Sequence, residues 1–389
     1  MPITIEQIRA SNAQIGSTLP SGTVAVFAGA TSGIGETSLK QFAKNTVKPR
    51  IYFLGRSQSS GDRIRDELEA LNPEGEYFFL SVDVSLLRAV DDVCREIKMR
   101  ERTLNLLFLS TGSMITGQGS LIHCFALPSP SSNQSHSSSD VYYLTDIDKS
   151  ADTAESLHYP VAVAYYARLR LITNLLPLLQ NQTPTTSGNA NAALHRVVTV
   201  FAGTKEYTIY PRDFQARTIS VLKVRGHLCG MTTFALEALS RDRAPDVSFI
   251  HVYPGAVKTN FGKDVKGVGA AVLRAVWDGV VTLVEPFLFT PVEEAGERMV
   301  FLASSAMFPP ASGGLRGRRD GVPLPEGVEV AKGSDGKNGS GVYSVTNSGE
   351  TAPSKVEKVL ADMRREGMVE KVWANVEEEF LRITGSVSI

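Results

Sequence analysis

Thr23-Val24-Ala25-Val26-Phe27-Ala28-Gly29-Ala30-Thr31-Ser32-Gly33-Ile34-Gly35 is the stretch that decides the fold of this 389-residue chain. Its first six residues are apolar or β-branched and carry no charge, the pattern of a strand buried on both faces. Three glycines follow within seven residues, and helical spacing then runs through 36–44. A strand, a glycine turn and a helix start bring backbone amides and the positive end of a helix dipole to one point. Glycines let an anion approach that backbone closely, so the point suits a pyrophosphate. The sequence therefore predicts a nucleotide phosphate site at Gly29, Thr31, Ser32, Gly33, Ile34 and Gly35.

The alternation continues outward. Strands are expected at 50–54, 77–82 and 104–109, with helices at 62–71 and 86–99. Helix 160–180, strand 196–201, helix 219–241 and strand 247–252 follow, and 270–286 and 293–304 also read as helical. Val369, Val372, Trp373, Val376 and Phe380 form one stripe on a last helix that docks on the body. Repeated strand–helix units imply right-handed crossovers. The expected fold is therefore α/β, a Rossmann-like doubly wound parallel sheet in three α/β/α layers with a C-terminal helical extension. One domain is expected over 1–389, with its core at about 20–262 and a substrate cap and helical extension at 263–389. Between the halves, 113–150 is rich in serine and proline and reads as a disordered insertion or a gene-model artefact such as a retained intron. The glycines of 333–341 read as a tight hairpin.

Composition excludes several classes. Lys+Arg number 40 against 41 Asp+Glu, so no general basic surface for nucleic acid exists. Cys94, Cys124 and Cys229 are far apart with no CxxC, and no histidines have metal-ligand spacing, so neither a disulfide framework nor a metal centre is expected. The apolar run 268–289 contains Arg274, Asp278 and Glu285, which argues for a helix over a cleft and against a membrane span. The opening residues lack the basic and apolar regions of a signal peptide, so a cytoplasmic location is expected.

Residues 28–35 resemble the TGxxxGIG signature of the short-chain dehydrogenase/reductase family, with Ala28 in place of Thr. The resemblance spans about 23–261 and implies a nicotinamide dinucleotide. It places Asp83, with Val84, at the adenine ring, and Thr111 at the end of the fourth strand, where the family has Asn-Ala-Gly. It places Val257 and Thr259, in Tyr253-Pro254-Gly255-Ala256-Val257-Lys258-Thr259, at the nicotinamide end. Arg56 stands just after the second strand, where NAD-preferring relatives have an acidic residue. A guanidinium there suits a 2′-phosphate, so NADP is the expected cofactor. Each has a structural reading as well: Arg56 as a solvated cation, Asp83 as a helix N-terminal residue, and the Pro-Gly segment as an ordinary turn.

The catalytic half departs from the family. Its chemistry needs a Tyr acid/base with a Lys four residues on, which lowers the phenol's pKa. Lys223 fits that Lys, and would hold cofactor ribose, but Ile219 stands in place of the Tyr. The family Ser is missing after the fifth strand, and Thr204 is the nearest hydroxyl. Tyr165 takes the place of the family Asn. Tyr165-Tyr166-Ala167-Arg168, Gly226-His227 and Trp373 resemble an atypical branch from fungal secondary metabolism. Lys223, Tyr165, Thr204 and His227 are thus the catalytic candidates, with Tyr207 and Tyr210 bordering the substrate. Lys223 and His227 are four apart, on one helix face. The plain alternative for Tyr165 and His227 is packing.

Three functions follow. The first is an NADP(H)-dependent oxidoreductase acting on a small hydrophobic carbonyl or alcohol. The second is a non-redox isomerase, cyclase or dehydratase on the same fold. The third is a catalytically dead NADP-binding protein. The resemblance also implies a homodimer paired through the helices at 160–180 and 219–241.

Overall fold

Seven strands build one parallel sheet in the computed structural model, which describes residues 2–112, 152–181, 194–257, 290–313 and 320–389. They are β1 (Val24–Ala28), β2 (Arg50–Gly55), β3 (Glu76–Ser81), β4 (Leu106–Leu109), β5 (Arg196–Val200), β6 (Ser248–Tyr253) and β7 (Val342–Thr346). Their order is β3-β2-β1-β4-β5-β6-β7. The chain therefore winds one way from β1 to β3 and the other way from β4 to β7. The two directions part between β1 and β4, where a crevice opens at the carboxyl ends of the strands.

The described α-helices of eight residues or more are α1 (Ile5–Asn12), α2 (Gly33–Asn45), α3 (Gln58–Leu71), α4 (Leu87–Arg100), α5 (Ala167–Gln180), α6 (Val221–Asp242), α7 (Val292–Ser304), α8 (Ser354–Arg365) and α9 (Met368–Thr384). Period-two alternation divides β1 between two cores. Val24, Val26 and Ala28 pack with α4, α5, α6, α8 and α9, whereas Ala25 and Phe27 pack with α1, α2, α3 and α7. Phe27 sits between Phe42 and Phe108, with ring centroids 5.7 and 5.1 Å away. Both faces of the sheet are thus covered, as a parallel sheet requires.

The six expected strands and their helices are present, with ends shifted by up to four residues. The expected 160–180 helix opens with a π-helical turn, Ala162–Tyr166, before α5. Three of these elements escape the sequence reading: α1, α8 and β7. β7 lies inside the stretch expected to form the substrate cap and helical extension, and pairs with β6 from Phe249↔Val342 to Tyr253↔Thr346. The glycine run before it drew the eye to the turn alone. That turn is real: Lys332 and Asn338 bridge antiparallel. α1 is closed by a capping box between Thr4 and Gln7 and joins α7 through Arg9 and Glu297. The 113–150 insertion, the 270–286 helix, Thr259 and Cys124 lie outside the described residues. Cys94 and Cys229 are free and buried.

Candidate cofactor and active site

The glycine turn is built by close approach. Gly29 has φ +80° and Gly33 φ +59°, backbone that L side chains disfavour. A Cβ on Gly29 would lie 2.6 Å from the Thr111 amide nitrogen, across the β1/β4 crevice. One on Gly35 would lie 2.3 Å from both the Gly29 carbonyl oxygen and Ser110 Oγ. Ser110 Oγ donates to the carbonyls of Ala28 (3.2 Å) and Gly29 (3.1 Å), which pins β4 to the turn. Ser32 caps α2 without a side-chain bond, and the helix's own bonding begins with the Glu36 amide donating to the Ser32 carbonyl. The amides of Gly33, Ile34 and Gly35 precede that bond and form the donor set a phosphate needs. The cradle fits a pyrophosphate. Sequence reading missed Gly55 at the end of β2, where a Cβ would lie 2.3 Å from Thr31 Cγ2. Its only signal was a glycine directly before Arg56.

Arg56 and Asp83 stand exposed beyond β2 and β3. The Val82 amide donates to the Gly55 carbonyl (2.9 Å), so the two turns are held together. Arg56 Nη1 donates to the Tyr159 hydroxyl at 3.3 Å. The Asp83 carboxylate accepts the Ser85 amide at 3.0 Å, and Val84 is half-buried against the core. Val257, also half-buried, pairs with Thr290 beyond the Pro254-Gly255 turn.

Thr111 is the hub of the opposite side. Its hydroxyl donates to the Val163 carbonyl (3.1 Å), and its own carbonyl accepts from Arg168. The π turn therefore packs against the end of β4. Tyr165, in that turn, is 1% exposed, sits edge-on to Tyr166 at 5.0 Å, and its hydroxyl has no hydrogen-bond partner among the described residues. Burial pushes its phenol well above the ordinary range, so it stays neutral.

The other candidates lie apart from it. Thr204 has φ +68°, its amide donates to Ser344 Oγ (2.6 Å), and its buried hydroxyl is unpartnered. Lys223 is exposed, with Nζ 5.7 Å from the Tyr210 ring centroid. His227 is buried: Nδ1 accepts the Tyr210 amide (3.2 Å) and Nε2 faces the Phe214 carbonyl (3.3 Å). Burial lowers its pKa, so it is a neutral clamp on the 210–214 loop. Tyr210 is the shared neighbour of Lys223 and His227. Among the described residues no hydrogen bond joins Tyr165, Thr204, Lys223 and His227 to one another. Ile219 lies just before α6, fixed by the Asp213 carboxylate, which accepts the amides of Arg217, Thr218 and Ile219 at 2.8, 2.6 and 3.1 Å. Burial opposes ionisation of Asp213, but these bonds hold its pKa below the usual value.

A buried polar network, invisible in the sequence, underlies the ends of β5, β6 and β7. Glu206 Oε1 accepts from Thr233 Oγ1 (2.7 Å) and from Ser344 Oγ. Thr233 Oγ1 also contacts His251 Nδ1 (2.9 Å), and His251 Nε2 accepts the Ala202 amide (3.3 Å). Cys229 donates to the Ala202 carbonyl. Its members come from four separate segments, and no local spacing could announce it.

A Rossmann-like doubly wound α/β fold with its crevice at the β1/β4 switch point is thus defined. The profile of the short chain dehydrogenase family matches residues 23–123. Over 378 residues the chain is 34% identical to the oxidoreductase AN1596 of Emericella nidulans, covering 96% of this chain and 97% of that one. It is 32% identical over 387 residues to the oxidoreductase andH of Emericella variicolor, covering 98% of each. A putative uncharacterized protein from Mycobacterium paratuberculosis shares the fold, with TM-score 0.50 and 14% identity over 95% of this chain and 96% of that one. The chain belongs to the short-chain dehydrogenase/reductase family. No helix among the described residues is long and apolar enough to cross a membrane.

Proposed function

We propose that this chain is a cytoplasmic NADP(H)-dependent oxidoreductase acting on a small hydrophobic carbonyl or alcohol in secondary-metabolite biosynthesis. The glycine cradle at the β1/β4 crevice carries the reading. In it Gly29, Thr31, Ser32, Gly33, Ile34 and Gly35 hold the pyrophosphate. Arg56 takes the 2′-phosphate, and Asp83 with Val84 takes the adenine ring. Thr111, Lys223, Val257 and Thr259 flank the nicotinamide half. The cofactor, when bound, supplies or accepts the hydride. The Tyr165 hydroxyl is assigned to the substrate oxygen as the proton donor that its neutral phenol allows, with the Thr204 hydroxyl, which lies apart from it, as the alternative. His227 positions the Tyr210 loop. The oxidoreductase relatives from Emericella support both the activity and the fungal setting. The core at about 20–262 and the cap and extension at 263–389 are part of the same reading, with β7 now in the core sheet. Ile219, an alkyl group at the acid/base position, favours a second reading: a non-redox enzyme or an NADP-binding protein on this fold.

The test is a titration of the purified chain with NADPH and NADH, alongside Arg56→Asp. NADPH is expected to bind, and to weaken about tenfold or more in the variant through loss of a charge-assisted contact. Consumption of NADPH with ketones then separates the first reading from the second. Failure of both nucleotides to bind at millimolar concentration overturns the cofactor assignment.

A further inference from the structure

Among the described residues three arginines are buried around the sheet, and they are not alike. Arg170 pairs with Asp91 at 2.6 and 2.8 Å. Arg196 pairs with Asp320 at 3.1 Å. Arg168 is 3% exposed and, among the described residues, pairs with no carboxylate. Its Nε donates to the Thr111 carbonyl (3.0 Å), as does Nη2; Nη1 donates to Thr199 Oγ1 (2.6 Å) and the Val200 carbonyl (2.9 Å). The Phe201 ring lies 5.7 Å from its Cζ. Every partner among the described residues is neutral, so none of them compensates the positive charge. Burial lowers its pKa to about 9, which leaves the guanidinium charged at neutral pH.

Its partners lie at the carboxyl ends of β4 and β5, one strand position beyond the glycine cradle. Arg56 and Asp83 stand on the opposite side, beyond β2 and β3. A dinucleotide laid across the crevice with its adenosine toward Arg56 has its nicotinamide on the Arg168 side. The charge is felt at a distance here. His251 stacks on the Phe201 ring at 6.2 Å, and burial, reinforced by Arg168, drives its imidazole down to about 3.

We infer that Arg168 is a charge-positioning residue that makes the site discriminate against the oxidised, cationic nicotinamide ring in favour of the reduced, neutral one. The inference rests on the nicotinamide reading above. A fixed cation in a poorly screened interior repels only the ring that carries positive charge, because the rest of the two cofactors is the same. Bound cofactor is thereby held in its reduced form and released once oxidised, the bias of a reductase.

The experiment measures dissociation constants for NADPH, NADP⁺ and 2′-phospho-ADP-ribose, which lacks the ring. They are taken on the wild-type chain, Arg168→Lys and Arg168→Met. In the wild type NADPH is expected to bind about tenfold tighter than NADP⁺, and NADP⁺ no tighter than the ringless analogue. Arg168→Lys keeps that ratio, and Arg168→Met brings it toward one. If Arg168→Met does not fold, the wild-type comparison decides alone. NADP⁺ binding as tightly as NADPH, or a ratio unmoved in Arg168→Met, overturns the inference and leaves the cofactor reading intact. Absence of binding by all three nucleotides overturns both.

Discussion

A methyl group added at Gly35 would meet the Gly29 carbonyl oxygen and Ser110 Oγ at 2.3 Å each. The first of these is backbone and cannot swing aside. Gly35→Ala is therefore expected to spread the turn from β4. It should cost about 1–3 kcal/mol of stability, read from a denaturant midpoint, and abolish NADPH binding in the same titration used for Arg56→Asp. A variant that binds NADPH as the wild type does would remove the cradle as the cofactor site. At this scale the sequence was informative where backbone sterics dictate the residue. Gly29 and Gly33 occupy positive φ, and Arg56 and Asp83 emerge exposed where the second and third units predicted them. It was uninformative about side chains whose surroundings come from elsewhere. Nothing near Thr204 in sequence shows that Ser344 receives its amide, and nothing near His227 shows that its ring is buried against the 210–214 loop.

At the scale of elements, periodicity exposed six strands because each is a short apolar run followed by a helix. β7 follows a glycine turn and is separated from α7 by residues 305–341, outside the regular strand–helix alternation, which therefore assigns its five residues to no strand. It is held to the sheet by the network of Glu206, Thr233, His251 and Ser344 as well as by β6. That network has a pH signature. His251 has a folded pKa of about 3, below the ordinary 6.5, because of burial and then Arg168. The unfolded chain therefore takes up a proton first as the pH falls below 6.5, and acidification destabilises the fold until about pH 3. From pH 6.5 to 5 this site alone contributes about 2 kcal/mol of lost stability. Glu206 acts in the opposite sense: burial raises its pKa, so the folded state gains its proton earlier and acidification favours it. Urea melts across that range should therefore show a shallower loss for His251→Asn than for the wild type, whatever the variant's stability at pH 7. Parallel slopes would mean that His251 titrates normally.

At the scale of the whole molecule, α5 and α6, the helices through which a homodimer is expected to pair, pack against α9. The stripe on α9 was legible in the sequence, since its spacing is that of one helix face. Its destination was not. Val369, Val372, Val376, Phe380 and Ile383 are buried in the core shared with α5 and α6. Tyr166 donates to Asn375 (2.8 Å), Arg170 stacks over Phe380 (5.0 Å), and Arg243 covers Trp373 (5.0 Å) while pairing with Glu377 (2.8 Å). Arg170 also donates to the carbonyls of Ser386 and Val387 at 2.8 Å. The helices that the family resemblance would use for pairing thus receive a helix of their own chain. We propose that α9 stands in for a partner on this face. Phe380→Ala should cost about 3–5 kcal/mol, the price of an aromatic removed from a packed core. Removing 368–389 should leave an apolar stripe on α5 and α6, which folded proteins bury by associating. Sedimentation should accordingly show the full chain unpaired through this face and the shortened chain as a larger species. A full-chain dimer whose crosslinks map to α5 and α6 would require α9 to move aside, and would end the argument that it replaces the partner.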